Sequence, residues 1–293
     1  MTPDPLRKPP WLKKKLPRAE ALADMTRLLR GHGLHTVCER AACPNRGECF
    51  ERGTATFLIL GDHCTRNCRF CAVPPGHPGP PDPEEPHRVA HAAVSLGLRH
   101  VVITSVTRDD LSDGGASHFV ACMQAVRRAL PEASLEVLVP DFQGEAAAVD
   151  VVLAARPEVF NHNVETIPEF YALARPQAIY ARSLQVLRRA AGRRASVVKS
   201  GFMVGLGEDA SQVHRLLEDL RGAGVQVVTI GQYLRPSKDH LEVVEYVPPE
   251  VFAGYRQWGE ALGLVVEAGP FVRSSYLAEA GFARARGLSA PGD

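Results

Sequence analysis

The chain has 293 residues, of which 45% are hydrophobic and 23% are charged, a composition typical of a soluble globular protein with one large domain or two small ones. Its 34 basic and 33 acidic residues nearly balance, which argues against a nucleic-acid-binding protein that works through bulk positive charge. It contains no run of about 18 apolar residues and no apolar signal sequence within residues 1–10. We therefore expect a cytoplasmic protein with neither nucleic acid nor membrane among its partners.

Residues 1–54 form the first of three predicted regions, an N-terminal extension. Residues 1–20 are a basic, Pro-rich arm with six Lys or Arg residues against Asp4 and Glu20. A charge run of this kind is usually a solvated tail, and docking onto an acidic partner protein is the functional alternative. The extension also carries Cys38, Cys43 and Cys49, which we keep as candidate metal ligands.

The second region, residues 55–263, alternates short apolar runs with helical stretches. Six βα units in succession predict a parallel sheet with right-handed crossovers. Six units are too few for an eight-fold barrel, so we predict an α/β fold with a partial (β/α)6 barrel, and an open doubly wound sheet is the alternative. In both folds the functional loops follow the carboxyl ends of the strands. The predicted strands are 56–60, 101–104, 135–139, 159–163, 196–203 and 225–230, and the predicted helices lie near 84–97, 115–130, 144–155, 168–191, 209–222 and 249–262.

The third region, residues 264–293, is a predicted C-terminal extension. It begins with a short strand at 264–271 and continues with a helix over 273–286. Ser274 and Ser275 stand at the start of that helix, and serine is a favoured N-cap residue. Helix capping is therefore the simplest role for these two serines on their own.

Cysteine spacing is the most informative feature of the sequence. Six of the seven cysteines fall between residues 38 and 71 in two groups of three, and clustered thiols without an export signal indicate metal rather than disulfides. The seventh, Cys122, lies on an apolar helix face and is predicted to be a core thiol.

The second group, Cys64, Cys68 and Cys71, follows the first predicted strand of the barrel with the spacing CX3CX2C. A structural zinc site needs four ligands, usually two separated pairs. Three thiolates instead suit three corners of a [4Fe–4S] cube and leave one iron free for another ligand.

This motif, with Phe70 just before the last cysteine, resembles that of the radical S-adenosylmethionine (SAM) enzymes. In that family the amino and carboxylate groups of SAM chelate the open iron. One electron from the reduced cluster then cleaves the sulfonium and yields methionine and a 5′-deoxyadenosyl radical. The resemblance implies the same cofactor pair here.

The first group has the spacing CX4CX5C, and its position shortly before CX3CX2C resembles the lipoyl synthase family. The similarity extends from about residue 13 to residue 280. Leu277 is a departure, since many relatives have His there, but it touches no ligand position. The stretches that carry the similarity are VITSVTRDDLSDGGASHF at 102–119, FNHNVET at 160–166, KSGFMVGLGE at 199–208, GQYLRPSKDHLEV at 231–243 and GPFVRSSYLAE at 269–279.

The resemblance also implies a second [4Fe–4S] cluster. Cys38, Cys43 and Cys49 would hold this auxiliary cluster, and Ser275 would be its fourth ligand and a catalytic residue. An alkoxide is the mismatched corner of such a cube, because iron–sulfur clusters prefer thiolates, and it can be lost by protonation.

Three further residues are expected to bind SAM. Alternate residues of a strand share a face, so Asn161, Asn163 and Glu165 could point the same way at the mouth of the barrel. The resemblance implies that Asn163 and Glu165 contact SAM, where amide and carboxylate groups suit a ribose diol. Arg182 could pair bidentately with the SAM carboxylate. Polar strand-end capping and a surface arginine are the respective alternatives.

The activity that the resemblance implies is a sulfurtransferase reaction. Two sulfur atoms are inserted at C6 and C8 of an octanoyl chain on a lipoyl carrier domain or protein, and the auxiliary cluster donates the sulfur. The implied partners are the octanoylated carrier, an electron donor such as flavodoxin or ferredoxin, and an iron–sulfur carrier protein. Two alternatives remain at this point: another sulfur-inserting radical SAM enzyme akin to biotin synthase, and a non-catalytic iron–sulfur carrier or redox sensor.

Overall fold

A single sheet whose strands follow one another in chain order organises the molecule. The computed structural model describes residues 7–13, 27, 29, 31, 33–36, 43, 45, 56–194, 196–276 and 278–287. Strand β1 (His35–Thr36) pairs antiparallel with β2 (Thr56–Ile59) at one edge. The seven strands from β2 onward are parallel, and the other six are β3 (His100–Ser105), β4 (Ser134–Leu138), β5 (Val159–Asn161), β6 (Val197–Val204), β7 (Val227–Gln232) and β8 (Val265–Gly269).

Amphipathic helices fill most of the crossovers between the parallel strands. The helix at Ala210–Gly222 is typical: a capping box between Asp209 and Gln212 begins it. Its buried residues Val213, Leu216, Leu217 and Leu220 recur with helical period on the face that packs inward. The described helices are α1 (Glu85–Ser95), α2 (Ala116–Ala129), α3 (Ala146–Ala154), α4 (Tyr171–Ala174), α5 (Tyr180–Arg193), α6 (Ala210–Gly222), α7 (Pro249–Ala261) and α8 (Ala278–Ala285).

The strand order confirms the predicted α/β partial barrel. A doubly wound sheet reverses its strand order at a switch point, whereas β2 to β8 run in sequence without reversal. The short strand predicted at 264–271 is β8, which extends the parallel sheet to seven strands. Cys122 is fully buried in α2, as predicted for a core thiol, and burial raises its pKa.

Two predicted helix boundaries are wrong. The helix expected over 168–191 is divided into α4 and α5 by residues 175–179. Pro176 lies in this break, and proline both lacks an N–H and disfavours helical backbone in the residue before it. The C-terminal helix, expected from Arg273, is described only from Ala278, because residues 274–276 form a turn.

An apolar floor closes the barrel at the amino ends of its strands. The first residues of β5, β6, β7 and β8 are all valines, and Phe282 and Ala285 of α8 pack against them. Phe282 also stacks on the His100 ring, with 6.1 Å between ring centroids. Helix α8 therefore lies beneath the barrel, at the end opposite to the loops that follow the strands.

A buried ion pair fills the next layer of the interior. Lys199 Nζ lies 2.9 and 3.2 Å from the two carboxylate oxygens of Glu136, and Asn161 Nδ2 donates to the same carboxylate at 3.1 Å. Burial by itself would raise the pKa of Glu136, but the Lys199 ammonium and His100 lower it to about 2. Glu136 precedes Leu138 by two residues on one strand face, so this charged layer lies directly below the side chains at the carboxyl ends.

Candidate functional site

A pocket of about 160 Å³ lies at the carboxyl ends of β2 to β5, where barrels of this kind carry their chemistry. The loop after β2 contributes three thiols, the end of β3 contributes one valine and three hydroxyl groups, the end of β4 contributes apolar groups, and the end of β5 contributes polar groups. The lining residues are Leu58, Cys64, Cys68, Phe70, Cys71, Val73, residues 104–107, Leu138, Val139, Pro140, His162, Asn163, Glu165 and Arg175.

Backbone hydrogen bonds fix the loop that carries the three thiols. Cys64 N–H donates to the Pro74 carbonyl at 2.9 Å, and Gly76 N–H donates to the Cys64 carbonyl at 2.8 Å. The Cys64 sulfur accepts hydrogen bonds from the backbone N–H groups of Thr107 at 3.3 Å and Arg66 at 3.5 Å. Such donors would tune the potential of a cluster bound to this sulfur.

Arg66, within the CX3CX2C loop, clamps that loop onto the neighbouring strand ends. Its buried guanidinium donates to both carboxylate oxygens of Asp109 at 2.6 and 2.9 Å and to Asp141 at 2.6 Å. Burial by itself would raise the pKa of Asp141, but Arg66 lowers it to about 2. Because Asp109 follows β3 and Asp141 follows β4, one arginine joins three loops around the pocket.

The three thiols share the pocket, but they do not converge as the ligands of a single ion would. Among the described residues, no three His, Cys, Asp or Glu side chains are placed to bind one metal ion together. Three corners of a cube hold three different irons, so their ligands need not converge. Burial raises the pKa of Cys71 to about 12 and also raises that of Cys68, which the Arg175 guanidinium opposes. A metal that binds thiolates would have to supply the charge that keeps them deprotonated.

The segment after β5 places in the pocket two polar atoms that have no hydrogen-bond partner in the part of the chain that the structure describes. Asn163 Nδ2 donates to Glu165 at 3.1 Å, while the buried Asn163 Oδ1 has no hydrogen-bond partner among the described residues. His162 Nδ1 lies 2.8 Å from the Val139 carbonyl, and its buried Nε2 has no such partner either. Burial lowers the pKa of His162 to about 4, so Nδ1 is the donor and Nε2 remains an acceptor. Since a buried unsatisfied polar atom costs about 1–3 kcal/mol, these atoms indicate a polar ligand.

The remaining candidates divide between the pocket and its surroundings. Asn161, expected on the same face as Asn163, lies one layer deeper and binds Glu136. Arg182 does not line the pocket, and its guanidinium lies 3.4 Å from Asp141. Arg175, which the sequence analysis did not single out, lines the pocket instead.

The C-terminal segment after β8 reaches the mouth of the barrel. Ser274 Oγ accepts a hydrogen bond of 2.7 Å from Asn163 Nδ2. Gly231 on β7 allows this approach, because a Cβ at that position would come within 2.2 Å of the Val272 carbonyl oxygen. Ser275 is half-buried beside Ser274.

The N-terminal extension meets this same C-terminal segment. Asn45, which is buried, donates to the Phe271 carbonyl at 2.6 Å. Burial lowers the pKa of Arg273, and the nearby Cys43 opposes this shift. Cys43 therefore lies close to the segment that carries Ser275, whereas Cys38, Cys49 and Leu277 lie outside the described residues. None of the described helices has both the length and the apolar character needed to cross a membrane.

Known proteins share both the sequence and the fold. The model of the radical SAM superfamily matches residues 58–220. The lipoyl synthase of Nitratidesulfovibrio vulgaris, strain Hildenborough, is 56% identical over 280 residues, which are 94% of this chain and 93% of that protein. The lipoyl synthase of Caldanaerobacter subterraneus subsp. tengcongensis is 54% identical over 284 residues, or 96% and 99% of the two chains.

A more distant likeness concerns the fold alone. The crystal structure of methylornithine synthase (PylB) superposes with a TM-score of 0.55 at 14% identity, over 71% of this chain and 63% of that one. The partial barrel is therefore shared well beyond the close relatives. On the superfamily match and the near full-length identity to its relatives, the chain belongs to the lipoyl synthase family of the radical SAM superfamily.

Proposed function

We propose that this protein inserts two sulfur atoms, at C6 and C8, into an octanoyl chain that is amide-linked to a lysine of a lipoyl carrier domain. The observation that carries the proposal is one pocket in which three thiols face unpartnered polar atoms on one side and apolar side chains on another. Membership of the lipoyl synthase family implies two [4Fe–4S] clusters and SAM as cofactors.

The residues present fit these cofactors. Cys64, Cys68 and Cys71 would hold the cluster that binds SAM, and Cys38, Cys43 and Cys49 with Ser275 would hold the auxiliary cluster. When bound, the first cluster and SAM supply the one-electron chemistry that opens unactivated C–H bonds, and the auxiliary cluster supplies sulfur. The protein contributes binding, orientation and the exclusion of side reactions.

The polar wall of the pocket is the proposed SAM site. The Asn163 Oδ1 and His162 Nε2 acceptors are buried and find no partner among the residues that the structure describes, so donors on the ligand would satisfy them. Burial raises the pKa of Glu165, while Arg175 and Asn163 oppose this shift. Arg182 would need to exchange Asp141 for the SAM carboxylate, and its 3.4 Å contact is long for a charged pair.

The apolar wall is the proposed site of the octanoyl chain. The side chains of Leu58, Val106, Leu138 and Val139 line this side and offer dispersion contacts to a hydrocarbon, next to the hydroxyl groups at the end of β3. No carbonyl lies next to C6 or C8 to acidify their protons, so acid–base catalysis cannot open these C–H bonds. The side chains of this apolar wall would fix the distance of the octanoyl chain from the loop that carries the three thiols.

The broader setting follows from the same proposal. The octanoylated carrier, a flavodoxin or ferredoxin as electron donor, and an iron–sulfur carrier protein that rebuilds the auxiliary cluster are the proposed partners. Six clustered thiols require a reducing compartment, which supports a cytoplasmic location. We retain the division into residues 1–54, 55–263 and 264–293 as a proposal, with β8 continuing the central sheet across the last boundary.

The experiment that tests the function is a single-turnover assay on protein reconstituted anaerobically with iron and sulfide. An octanoyl-lysine peptide and SAM are added with a reductant, and mass spectrometry measures sulfur-containing peptide and 5′-deoxyadenosine together. We expect two 5′-deoxyadenosines for each lipoyl group formed. SAM cleavage without any sulfur in the peptide would contradict the proposed reaction.

Replacing Ser275 with cysteine is expected to uncouple the two products of this assay. Thiolate binds iron more firmly than alkoxide and is harder to lose by protonation, so the introduced thiolate would keep its iron when sulfur is removed. Lipoyl product should fall sharply while 5′-deoxyadenosine continues to form.

Ser274→Ala is the matched comparison for Ser275→Cys. It removes the hydrogen bond to Asn163, so we expect SAM binding to weaken by about fivefold, the worth of one neutral hydrogen bond, with the ratio of lipoyl product to 5′-deoxyadenosine unchanged. A normal ratio in Ser275→Cys, or a lowered ratio in Ser274→Ala, would count against Ser275 as the iron ligand.

A further inference from the structure

The break between α4 and α5 is built against the thiol loop. Arg69 N–H donates to the Ala174 carbonyl at 2.9 Å, and Asn67 N–H donates to Gln177 Oε1 at 3.0 Å. These two hydrogen bonds flank Cys68 on both sides. Residues 174–177 therefore hold the part of the loop that presents the Cys68 thiol.

Arg175, in the middle of this segment, reaches the other side of the pocket. Its Nη1 donates to the backbone carbonyls of Asn163 at 3.1 Å and Val164 at 3.3 Å. The guanidinium lies 5.4 Å from the centre of the Tyr171 ring and donates to its hydroxyl at 3.3 Å. One side chain thus joins the segment behind Cys68 to the strand end that carries Asn163.

Arg175 is a buried cation without a carboxylate partner among the described residues. It is 8% exposed, and its Nε has no hydrogen-bond partner there. An unpaired buried charge is costly, so an anionic group is expected nearby. Glu165 and the Cys68 thiol are the anionic candidates, since both line the pocket together with Arg175. The two hydrogen bonds that flank Cys68 place the Arg175 segment directly behind this thiol.

A cluster held by three thiolates would provide that anion. A [4Fe–4S] core with a charge of about +2 and three thiolates has a net charge of about −1, and reduction by one electron makes it about −2. A fixed cation beside Cys68 stabilises the more negative state more strongly. The same cation also fixes the spacing between the cluster loop and the segment that carries Asn163.

We propose that Arg175 is a positioning residue that holds the Cys68 corner of the cluster in register with the Asn163 strand end and favours the reduced cluster through its charge. The inference rests on the proposed function, because it requires a cluster on Cys64, Cys68 and Cys71. Two separate effects follow, one from the charge and one from the planar, forked shape of the guanidinium.

The test compares Arg175→Met, which removes both charge and fork, with Arg175→Lys, which keeps the charge alone. Arg189→Met is the matched control, since Arg189 lies on the surface of α5 and pairs there with Asp150 of α3. All are made in the full chain with Cys38, Cys43 and Cys49 changed to Ala, so that one cluster gives the signal. Iron content, the midpoint potential from a titration followed by electron paramagnetic resonance, and the dissociation constant for SAM are measured.

We expect Arg175→Met to shift the midpoint potential to a more negative value and Arg175→Lys to return most of that shift. Both should weaken SAM binding by about tenfold, because neither keeps the paired backbone contacts of the guanidinium. Arg189→Met should change neither quantity. An unchanged potential in Arg175→Met, or a potential in Arg175→Lys as negative as in Arg175→Met, overturns the role of the charge.

The outcomes also separate this inference from the proposed function. If Arg175→Met assembles no cluster, the result for Arg175→Lys decides. A midpoint potential close to that of the parent protein, together with weakened SAM binding, supports the inference. A more negative potential than that of the parent, or normal SAM binding, overturns it. A signal in the parent protein that SAM does not perturb contradicts the proposed function itself. A normal, SAM-sensitive signal in every variant leaves the function intact and removes only the role of Arg175.

Discussion

Changing Cys64, Cys68 and Cys71 together to alanine is expected to leave about half of the iron, roughly four atoms instead of eight, and to abolish SAM cleavage. All three thiols line the pocket that also presents His162 Nε2 and Asn163 Oδ1, two atoms without a hydrogen-bond partner in the described part of the chain. If these thiols hold the cluster that binds SAM, their loss removes both the source of the electron and the iron that SAM would chelate. Iron analysis and a 5′-deoxyadenosine assay measure the two effects on the same sample.

Cys122→Ala is the control for this change. Cys122 is buried in α2, away from the pocket lining, so its loss should leave both iron and SAM cleavage intact. Retention of SAM cleavage by the triple variant would contradict the assignment of the three thiols. About four irons in the unmodified protein would contradict the presence of two clusters.

The second large effect is expected when Cys38, Cys43 and Cys49 are changed to alanine. In the proposed mechanism radical generation would use only the cluster on Cys64, Cys68 and Cys71, so 5′-deoxyadenosine should still form, while sulfur insertion should be lost because the sulfur donor is absent. The hydrogen bond from Asn45 to the Phe271 carbonyl joins this described part of the extension to the segment that carries Ser275. Mass spectrometry of the octanoyl-lysine peptide is the decisive measurement.

Added sulfide provides the control for the second variant. If the thiols act only through the auxiliary cluster, free sulfide should not restore the lipoyl product. Formation of lipoyl peptide by this variant would eliminate the auxiliary cluster as the sulfur donor. Loss of 5′-deoxyadenosine as well would indicate that the extension also supports the radical site.

The features that sequence located best are those whose chemistry is local. The spacing of Cys64, Cys68 and Cys71 confines three thiols to one loop, and the preceding strand fixes the end of the barrel at which that loop lies. Asn163 and Glu165 line the pocket as expected, but β5 ends at Asn161 and Glu165 has a φ of 68°, so the segment after the strand, and not a strand period of two, places them there. The alternation of strands and helices also predicted the partial barrel, because each βα unit is a short stretch of chain whose pattern can be read locally.

The features that sequence missed depend on contacts between distant residues. Pro176 could have divided the helix expected over 168–191, but nothing local places Arg175 beside Cys68. The contact of Arg182 with Asp141 joins residues 41 positions apart. The pairing of Asn163 with Ser274 spans 111 positions, and Ser274 on its own suggested only a helix cap.

The C-terminal segment is secured at both of its ends. Before residues 271–275 the chain is hydrogen-bonded into the sheet as β8. After them, α8 packs against the valines of the apolar floor, and its Arg284 pairs with Glu267 of β8. The short span that carries Ser275 is therefore a bridge rather than a tail. If Ser275 is the oxygen ligand of the auxiliary cluster, its side chain could rotate away while the backbone of this bridge stays in place, and the hydroxyl group would be available at the same position for each newly built cluster.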